Sequence, residues 1–195
     1  MQKREKEKST SRQRRFPLFG SLKGLCFAGA MTAMSIVLGK FLQIPNPFGE
    51  FIRISFENLP ILLVGFALGP SAAVAVGVAA DLIGCVLYGY TVNPIITLGA
   101  AAVGLVCGIT SNYVIKKPLS LHVGVSVAIS HLFGSVLIKS YGLATWYLAK
   151  YELGYWEFVG WRGVNYALIA AAECTVIYLL LRNSGFRKQL ERMKR

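Results

Sequence analysis

Polar side chains that can bind a ligand interrupt the apolar segments of this sequence. His131, Ser135 and Lys139 recur every four residues within one long apolar segment, so they share one face of a helix. Arg162 and Asn165 lie three residues apart in the last apolar segment. At membrane depth such residues usually face an internal cavity or pair with one another. The pattern therefore predicts either a polar ligand pocket or a set of internal ion pairs.

The N-terminal half adds carboxylates and a further cation to this polar set. Arg53 and Glu57 lie four residues apart at the start of a short apolar segment, and Asp81 interrupts the next one. One alternative to a pocket is an ion pair that holds helices together, for example between Asp81 and Lys139 or Arg162. We favour the pocket, because several segments bring polar groups to a similar depth.

The composition indicates a membrane protein. The 195 residues are 54% hydrophobic and 15% charged, whereas soluble domains carry about 25% charged residues. The formal net charge of +12 comes mainly from basic clusters at 1–23, 116–117 and 182–195. A nucleic-acid-binding protein would place its basic residues on a folded face. Basic tails that flank apolar segments are typical of membrane topology instead.

The apolar segments predict an all-α integral membrane protein with six transmembrane helices in one bundle. The expected spans are 24–42, 54–68, 71–88, 95–115, 119–149 and 158–181. The second has only 15 residues, whereas a span needs about 20. We retain it because six spans place all three basic clusters on the cytoplasmic side, as the positive-inside rule requires.

This count divides the chain into three parts and orients it. Residues 1–23 are expected to form a disordered basic tail, residues 24–181 the membrane domain, and residues 182–195 a basic C-terminal tail. Both termini then lie in the cytoplasm. Lys139 and Arg162 fall in the outer half of the membrane, so the pocket is expected to open to the outside.

Aromatic residues gather toward the outer ends of the last two spans. Nine of them, including all three tryptophans, fall between residues 141 and 166. Most fit an interfacial belt, where Trp and Tyr lie at headgroup level. Trp146 and Trp161, together with Tyr88 at the end of the third span, are candidates for stacking on a flat ligand.

The sequence carries no signature of catalysis or of a bound metal. It has no phosphate-binding loop, no zinc-protease motif and no nucleophile elbow. The four cysteines are isolated in apolar stretches, so neither a metal site nor a disulfide is expected. We therefore expect no enzyme activity and no cofactor.

Several motifs resemble those of a known family of membrane proteins. The chain is similar to the S component, the substrate-binding subunit, of energy-coupling-factor (ECF) vitamin transporters of the folate type. The resemblance is carried by residues 33–42 (AMSIVLGKFL), 53–61 (RISFENLPI), Gly69-Pro70, 81–84 (DLIG) and Asn93-Pro94. It covers residues 24–115 by motif and residues 119–181 by the pattern of spans.

The resemblance implies how such a protein works. It implies that the chain binds a vitamin from the outside and associates with a membrane coupling protein and two cytoplasmic ATPases. It also implies docking through a small-residue motif in the first helix, whose matching positions are Gly29 and Ala33. The S component is thought to topple in the membrane, which carries the pocket to the cytoplasmic side.

Folate suits the polar residues of this chain. Its pterin edge can pair with a carboxylate or an amide, its rings can stack, and its glutamate carboxylates require cations. Glu173 lies about 16 Å deeper than Arg162 along the same helix, so we do not include it among the candidate substrate-binding residues. His131 alone also fits a hydrogen-bonded packing residue. The candidate substrate-binding residues are Lys40, Arg53, Glu57, Asn58, Asp81, Tyr88, His131, Lys139, Trp146, Trp161, Arg162 and Asn165.

Other functions remain open at this point. Within the family, the ligand could be another flat vitamin, such as riboflavin, thiamin or a queuosine precursor. A stand-alone secondary transporter would show an inverted internal repeat, which we do not see. A membrane-embedded enzyme is disfavoured by the missing catalytic motifs.

Overall fold

A computed structural model describes residues 22–41, 43–45, 53–114, 118–151 and 154–193. Its helices are α1 (Leu22–Lys40), α2 (Asn58–Leu68), α3 (Pro70–Tyr88), α4 (Pro94–Ile109), α5 (Leu119–Ser130), α6 (Lys139–Tyr151), α7 (Tyr155–Arg182) and α8 (Ser184–Met193). Two π-helical segments extend them: Thr110–Val114 continues α4, and His131–Ile138 joins α5 to α6. Strands β1 (Ile44–Pro45) and β2 (Arg53–Ile54) pair antiparallel. The predicted tail at 1–23 lies outside the described residues, except for its last two, which begin α1.

Among the described residues, five helices are long and apolar enough to cross a membrane. They are α1, α3, α4 with its π-helical turn, the continuous helix from α5 to α6, and α7. Large apolar side chains on their outer surfaces, such as Val86, Leu98 and Leu168, are more than half exposed. An apolar surface of this extent is typical of a face that meets lipid. The prediction of an all-α, multi-pass membrane protein is therefore confirmed.

The second predicted span begins later than expected. α2 has 11 residues instead of 15, because Arg53–Ile54 pairs with β1 and Glu57 is the N-cap of α2. At 1.5 Å per residue it is about 16 Å long, roughly half the hydrocarbon thickness of a bilayer. Nearly every residue of α2 is buried, which explains why its sequence is apolar all round. α2 is thus the central helix of the bundle, packed against α1, α3 and α4.

Small residues let α3 and α4 cross in backbone contact. A Cβ atom on Gly104 would lie 2.6 Å from the carbonyl carbon of Ala73, and one on Gly77 would lie 2.6 Å from the carbonyl oxygen of Ala100. Small residues four apart permit this approach in membrane helices. The small residues of α3 and α4 therefore serve internal packing.

Residues with specific capping roles end α3 and begin α4. α3 ends at Gly89, whose φ of 65° is the left-handed conformation that glycine adopts readily. Asn93 caps α4, because its side-chain oxygen accepts from the Ile95 N–H at 3.0 Å and Pro94 occupies the first turn. The amide of Asn93 also donates to the Gly142 carbonyl at 3.0 Å. This loop therefore fixes α4 against α6.

The C-terminal segment is helical where the sequence predicted only a basic tail at 182–195. α7 continues to Arg182, and α8 follows after Asn183. Leu190 of α8 is buried, and Phe186 packs against the core. Lys188, on the opposite side of α8, is exposed. The amphipathic pattern of α8 thus covers one end of α2 and α7.

We predict that Gly104→Ala destabilises the protein, because the added methyl group must push α3 and α4 apart. Overpacking of this kind costs about 1–3 kcal/mol, which corresponds to a fall in Tm of roughly 2–4 °C per kcal/mol. The matched control is Gly124→Ala in α5, where no neighbouring atom lies within 4 Å of the added Cβ. Thermal unfolding in detergent compares the two. Equal Tm values for both variants would contradict the close crossing.

A candidate ligand-binding site

A buried lysine forms the centre of the candidate site. Lys139, the first residue of α6, is only 4% exposed. Its Nζ donates to Glu57 Oε1 at 2.6 Å and to Asn58 Oδ1 at 3.3 Å. These contacts tie α6 to the start of α2. An ammonium group has three N–H donors, so Lys139 can bind one further acceptor supplied by a ligand.

Glu57 is held in place by α1 as well. Ser35 Oγ donates to the backbone carbonyl of Glu57 at 2.6 Å. A Cβ atom on Gly39 would lie 2.9 Å from Glu57 Cβ, so the absence of a side chain at position 39 lets the carboxylate side chain fit. The C-terminal turns of α1 therefore determine where Glu57 points.

A second carboxylate lines the same cavity. Asp81 Oδ2 accepts from the Thr97 hydroxyl at 2.5 Å, which links α3 to α4. The polar groups that line the cavity are Ser35, Glu57, Asp81 and Lys139. The water-accessible space that they enclose is about 30 Å³, room for about two water molecules. Within the described residues, Asp81 forms no ion pair with Lys139 or Arg162, because Lys139 pairs with Glu57 and Arg162 donates to Ser140. The Lys139–Glu57 contact is nevertheless an internal ion pair between helices, of the kind that the alternative interpretation described.

The charges of the cavity favour a particular kind of ligand. Two carboxylates and one ammonium group face it. Carboxylates accept hydrogen bonds only, and an ammonium group donates only. The cavity therefore offers two groups that accept hydrogen bonds and one that donates them.

Arg162 is buried but lies outside this cavity. Its Nε donates to Ser140 Oγ at 2.7 Å, and its Nη2 donates to the Ser135 carbonyl at 3.3 Å. The guanidinium also lies over the rings of Phe158 and Tyr166, at 5.6 and 5.2 Å from their centroids. Arg162 therefore joins α7 to the helix that carries Lys139, as a structural cation.

Two other predicted residues lie deeper in the bundle. His131 is 2% exposed and bonds Ser135 and Glu173, and Asn165 is 6% exposed. Neither lines the cavity. The packing interpretation of His131 fits these contacts.

The predicted aromatic residues do not converge on one place. Tyr88 packs edge-on against Phe41 and stacks with Tyr90, with ring centroids 5.7 and 6.3 Å apart. Trp161 is 44% exposed on the outer surface of α7 and suits the interfacial belt. The side chains of Lys40, Arg53 and Trp146 lie outside the described residues.

Sequence reasoning missed three residues that shape the site. Ser35 and Thr97 hold Glu57 and Asp81, and Ser35 occurs in a motif that carried the resemblance. The sequence signal that could have identified Ser35 and Thr97 is a hydroxyl side chain within an apolar helix. Glu173 was set aside for its depth, yet it bonds His131 at 2.5 Å.

The comparisons with known proteins agree with this architecture. A family model described as "ECF transporter, substrate-specific component" matches residues 23–182. The chain belongs to this family. No curated protein matches it. Among solved structures it is similar to the "Crystal structure of FolT bound with folic acid", with a TM-score of 0.63 and 21% identity over 82% of this chain and 92% of that one. At this identity the similarity shows the fold.

The two predicted docking positions of this ECF substrate-specific component both lie on α1. Gly29 and Ala33 lie on the exposed side of α1. No neighbouring atom lies within 4 Å of a Cβ built on Gly29. The opposite side of α1 carries Ser35 and Gly39, which contact Glu57. One helix of this S component therefore presents a small-residue face outward and borders the cavity inward.

Proposed function

We propose that this S component captures folate outside the cell and passes it to an ECF coupling protein driven by two ATPases. Three findings support the proposal: membership of the family, the fold similarity to FolT bound with folic acid, and the cavity around Lys139. The cavity carries the argument, because its donors and acceptors match one edge of a pterin.

The pterin edge would pair with the cavity as follows. Its 2-amino group and ring N3–H are neighbouring donors, which a carboxylate accepts in pairs. Glu57 and Asp81 are the two carboxylates available. The 4-oxo group is an acceptor, and the third N–H of Lys139 can donate a hydrogen bond to it. The pterin would then lie deepest, against α2, α3 and α6.

The glutamate end of folate would face outward. Its carboxylates require cations, and the donors of Lys139 are directed to the pterin in this arrangement. Lys40 follows Gly39 at the end of α1, and Arg53 precedes Glu57 by four residues. Both are close in the chain to residues that border the cavity, Gly39 and Glu57, so we assign the carboxylates to them.

The orientation of the chain completes the proposal. With both termini in the cytoplasm, α1 runs outward and ends near the external surface, where Gly39 and Glu57 border the cavity. A space of about 30 Å³ holds water but no pterin ring. Folate binding would therefore require the helices around the cavity to separate.

We expect purified protein to bind folate, and to bind riboflavin and thiamin far more weakly. Quenching of tryptophan fluorescence during titration measures each Kd. Lys139→Met should weaken folate binding about 10- to 100-fold, the value of a hydrogen bond to a charged group. Lys188→Met in α8, where the lysine is exposed, is the matched control and should leave Kd unchanged. Tight binding of another vitamin, with none of folate, would reassign the substrate.

The docking face gives a second expectation. Gly29→Leu should leave folate binding intact but abolish uptake by cells that contain the ECF module, because the larger side chain blocks close helix approach. Gly160→Leu is the control, since Gly160 is exposed on α7 and equally free of neighbours. Uptake of labelled folate reads out both. Normal uptake with Gly29→Leu would show that docking uses another surface.

A further inference from the structure

A chain of hydrogen bonds leads from the cavity to a carboxylate in the interior of the bundle. It starts at Lys139, whose Nζ lies 3.3 Å from Asn58 Oδ1. Asn58 Nδ2 lies 3.3 Å from Ser135 Oγ, which lies 3.2 Å from His131 Nδ1. His131 Nε2 lies 2.5 Å from Glu173 Oε2. The chain thus joins α6, α2, the π-helical segment and α7.

The donors along this chain all point in one direction. Lys139 donates to the carbonyl oxygen of Asn58, and the amide nitrogen of Asn58 donates to Ser135 Oγ. A hydroxyl has one proton, which Ser135 gives to His131 Nδ1. Because Nδ1 accepts that hydrogen bond, the single N–H of the neutral imidazole ring is on Nε2 and donates to Glu173. This tautomer is assigned from the partners. The donor-only ammonium at one end and the carboxylate at the other are thus both consistent with this single direction of the donors.

The buried pair of Glu173 and His131 is an energetically costly way to fill this part of the bundle. Both are almost wholly buried, with 0% and 2% exposure. Within the described residues, Glu173 Oε1 has no hydrogen-bond partner, so the carboxylate depends on His131 alone. A buried carboxylate with one partner is costly, and apolar residues of similar volume often pack as well or better. The His131 ring also contacts Tyr166, with centroids 5.5 Å apart.

We propose that Glu173 and His131 are positioning residues that act through Ser135 and Asn58 to aim the Lys139 ammonium at the ligand. The ammonium of Lys139 can only donate, so Asn58 turns its carbonyl oxygen toward Lys139 and its NH2 group toward Ser135. With the chain intact, Ser135 holds that NH2 group in place. With the chain cut, the amide of Asn58 is less firmly held, and the carbonyl oxygen no longer directs the Lys139 ammonium. The intact chain therefore favours a ligand that presents a hydrogen-bond acceptor to Lys139 over one that presents a donor there. This inference rests on the proposed function, in which Lys139 meets the 4-oxo group of folate.

The test compares folate with its 4-amino analogue, which presents a donor where folate presents the 4-oxo acceptor. The variant His131→Leu/Glu173→Leu removes both members of the buried pair together, which preserves stability better than removing one. We expect it to weaken folate binding about tenfold, the effect of one lost hydrogen bond. The Kd of the analogue should not change, so the preference for folate falls by the same factor.

Two single variants sharpen the test. Glu173→Gln keeps an acceptor for the Nε2–H of His131, so its preference for folate should stay within about threefold of the wild type. Ser126→Ala is the control: Ser126 Oγ on α5 is fully buried and has no hydrogen-bond partner in the described part of the chain. It lies outside the chain of hydrogen bonds, so the preference should not change.

The outcomes separate a positioning role from a structural one. An unchanged preference in the double variant would overturn the inference. Equal weakening of both ligands, together with a lower Tm, would overturn it too, because loss of folding does not discriminate between ligands. If the double variant does not fold, Ser135→Ala cuts the same chain at its middle and should reduce the preference equally. Wild-type protein that does not bind folate would refute the proposed function before any variant is compared.

Discussion

The requirement to pair a buried ammonium group governs this structure. Lys139 is almost completely removed from solvent, and an uncompensated charge at that depth is strongly unfavourable. Glu57 and Asn58 meet the requirement from the first residues of α2. Because α2 is the central helix, the same contacts fix the core at the N-terminal end of α2. The polar cavity thus follows from the way in which one lysine is accommodated.

Close helix packing makes that accommodation possible. A Cβ atom on Gly99 would lie 2.5 Å from Lys139 Cγ, and one on Gly134 would lie 2.8 Å from the Gly99 carbonyl oxygen. The stem of Lys139 therefore passes over α4 only because position 99 has no side chain. On the other side, Gly39 leaves the space that Glu57 fills. The glycines that let these helices approach also bring the polar groups that line the cavity within hydrogen-bond distance of one another.

The sequence predicts most of the architecture and part of the site. Long apolar segments and the distribution of basic residues indicate the spans, since both follow from the energetics of the bilayer. Lys139, Glu57 and Asp81 stand out because ionisable residues are rare at that depth. Which of them pair cannot be read from spacing, because Lys139 and Glu57 are 82 residues apart. The late start of α2 depends on a pairing of two-residue strands, too short to leave a periodic pattern.

The most direct test of the account is a structure of this protein with folate bound. It should place the 4-oxo group within hydrogen-bond distance of Lys139 Nζ, and the 2-amino group and N3–H against Glu57 or Asp81. The glutamate carboxylates should lie toward Lys40 and Arg53. A pterin bound away from α2, or a glutamate tail directed inward to Lys139, would contradict the account.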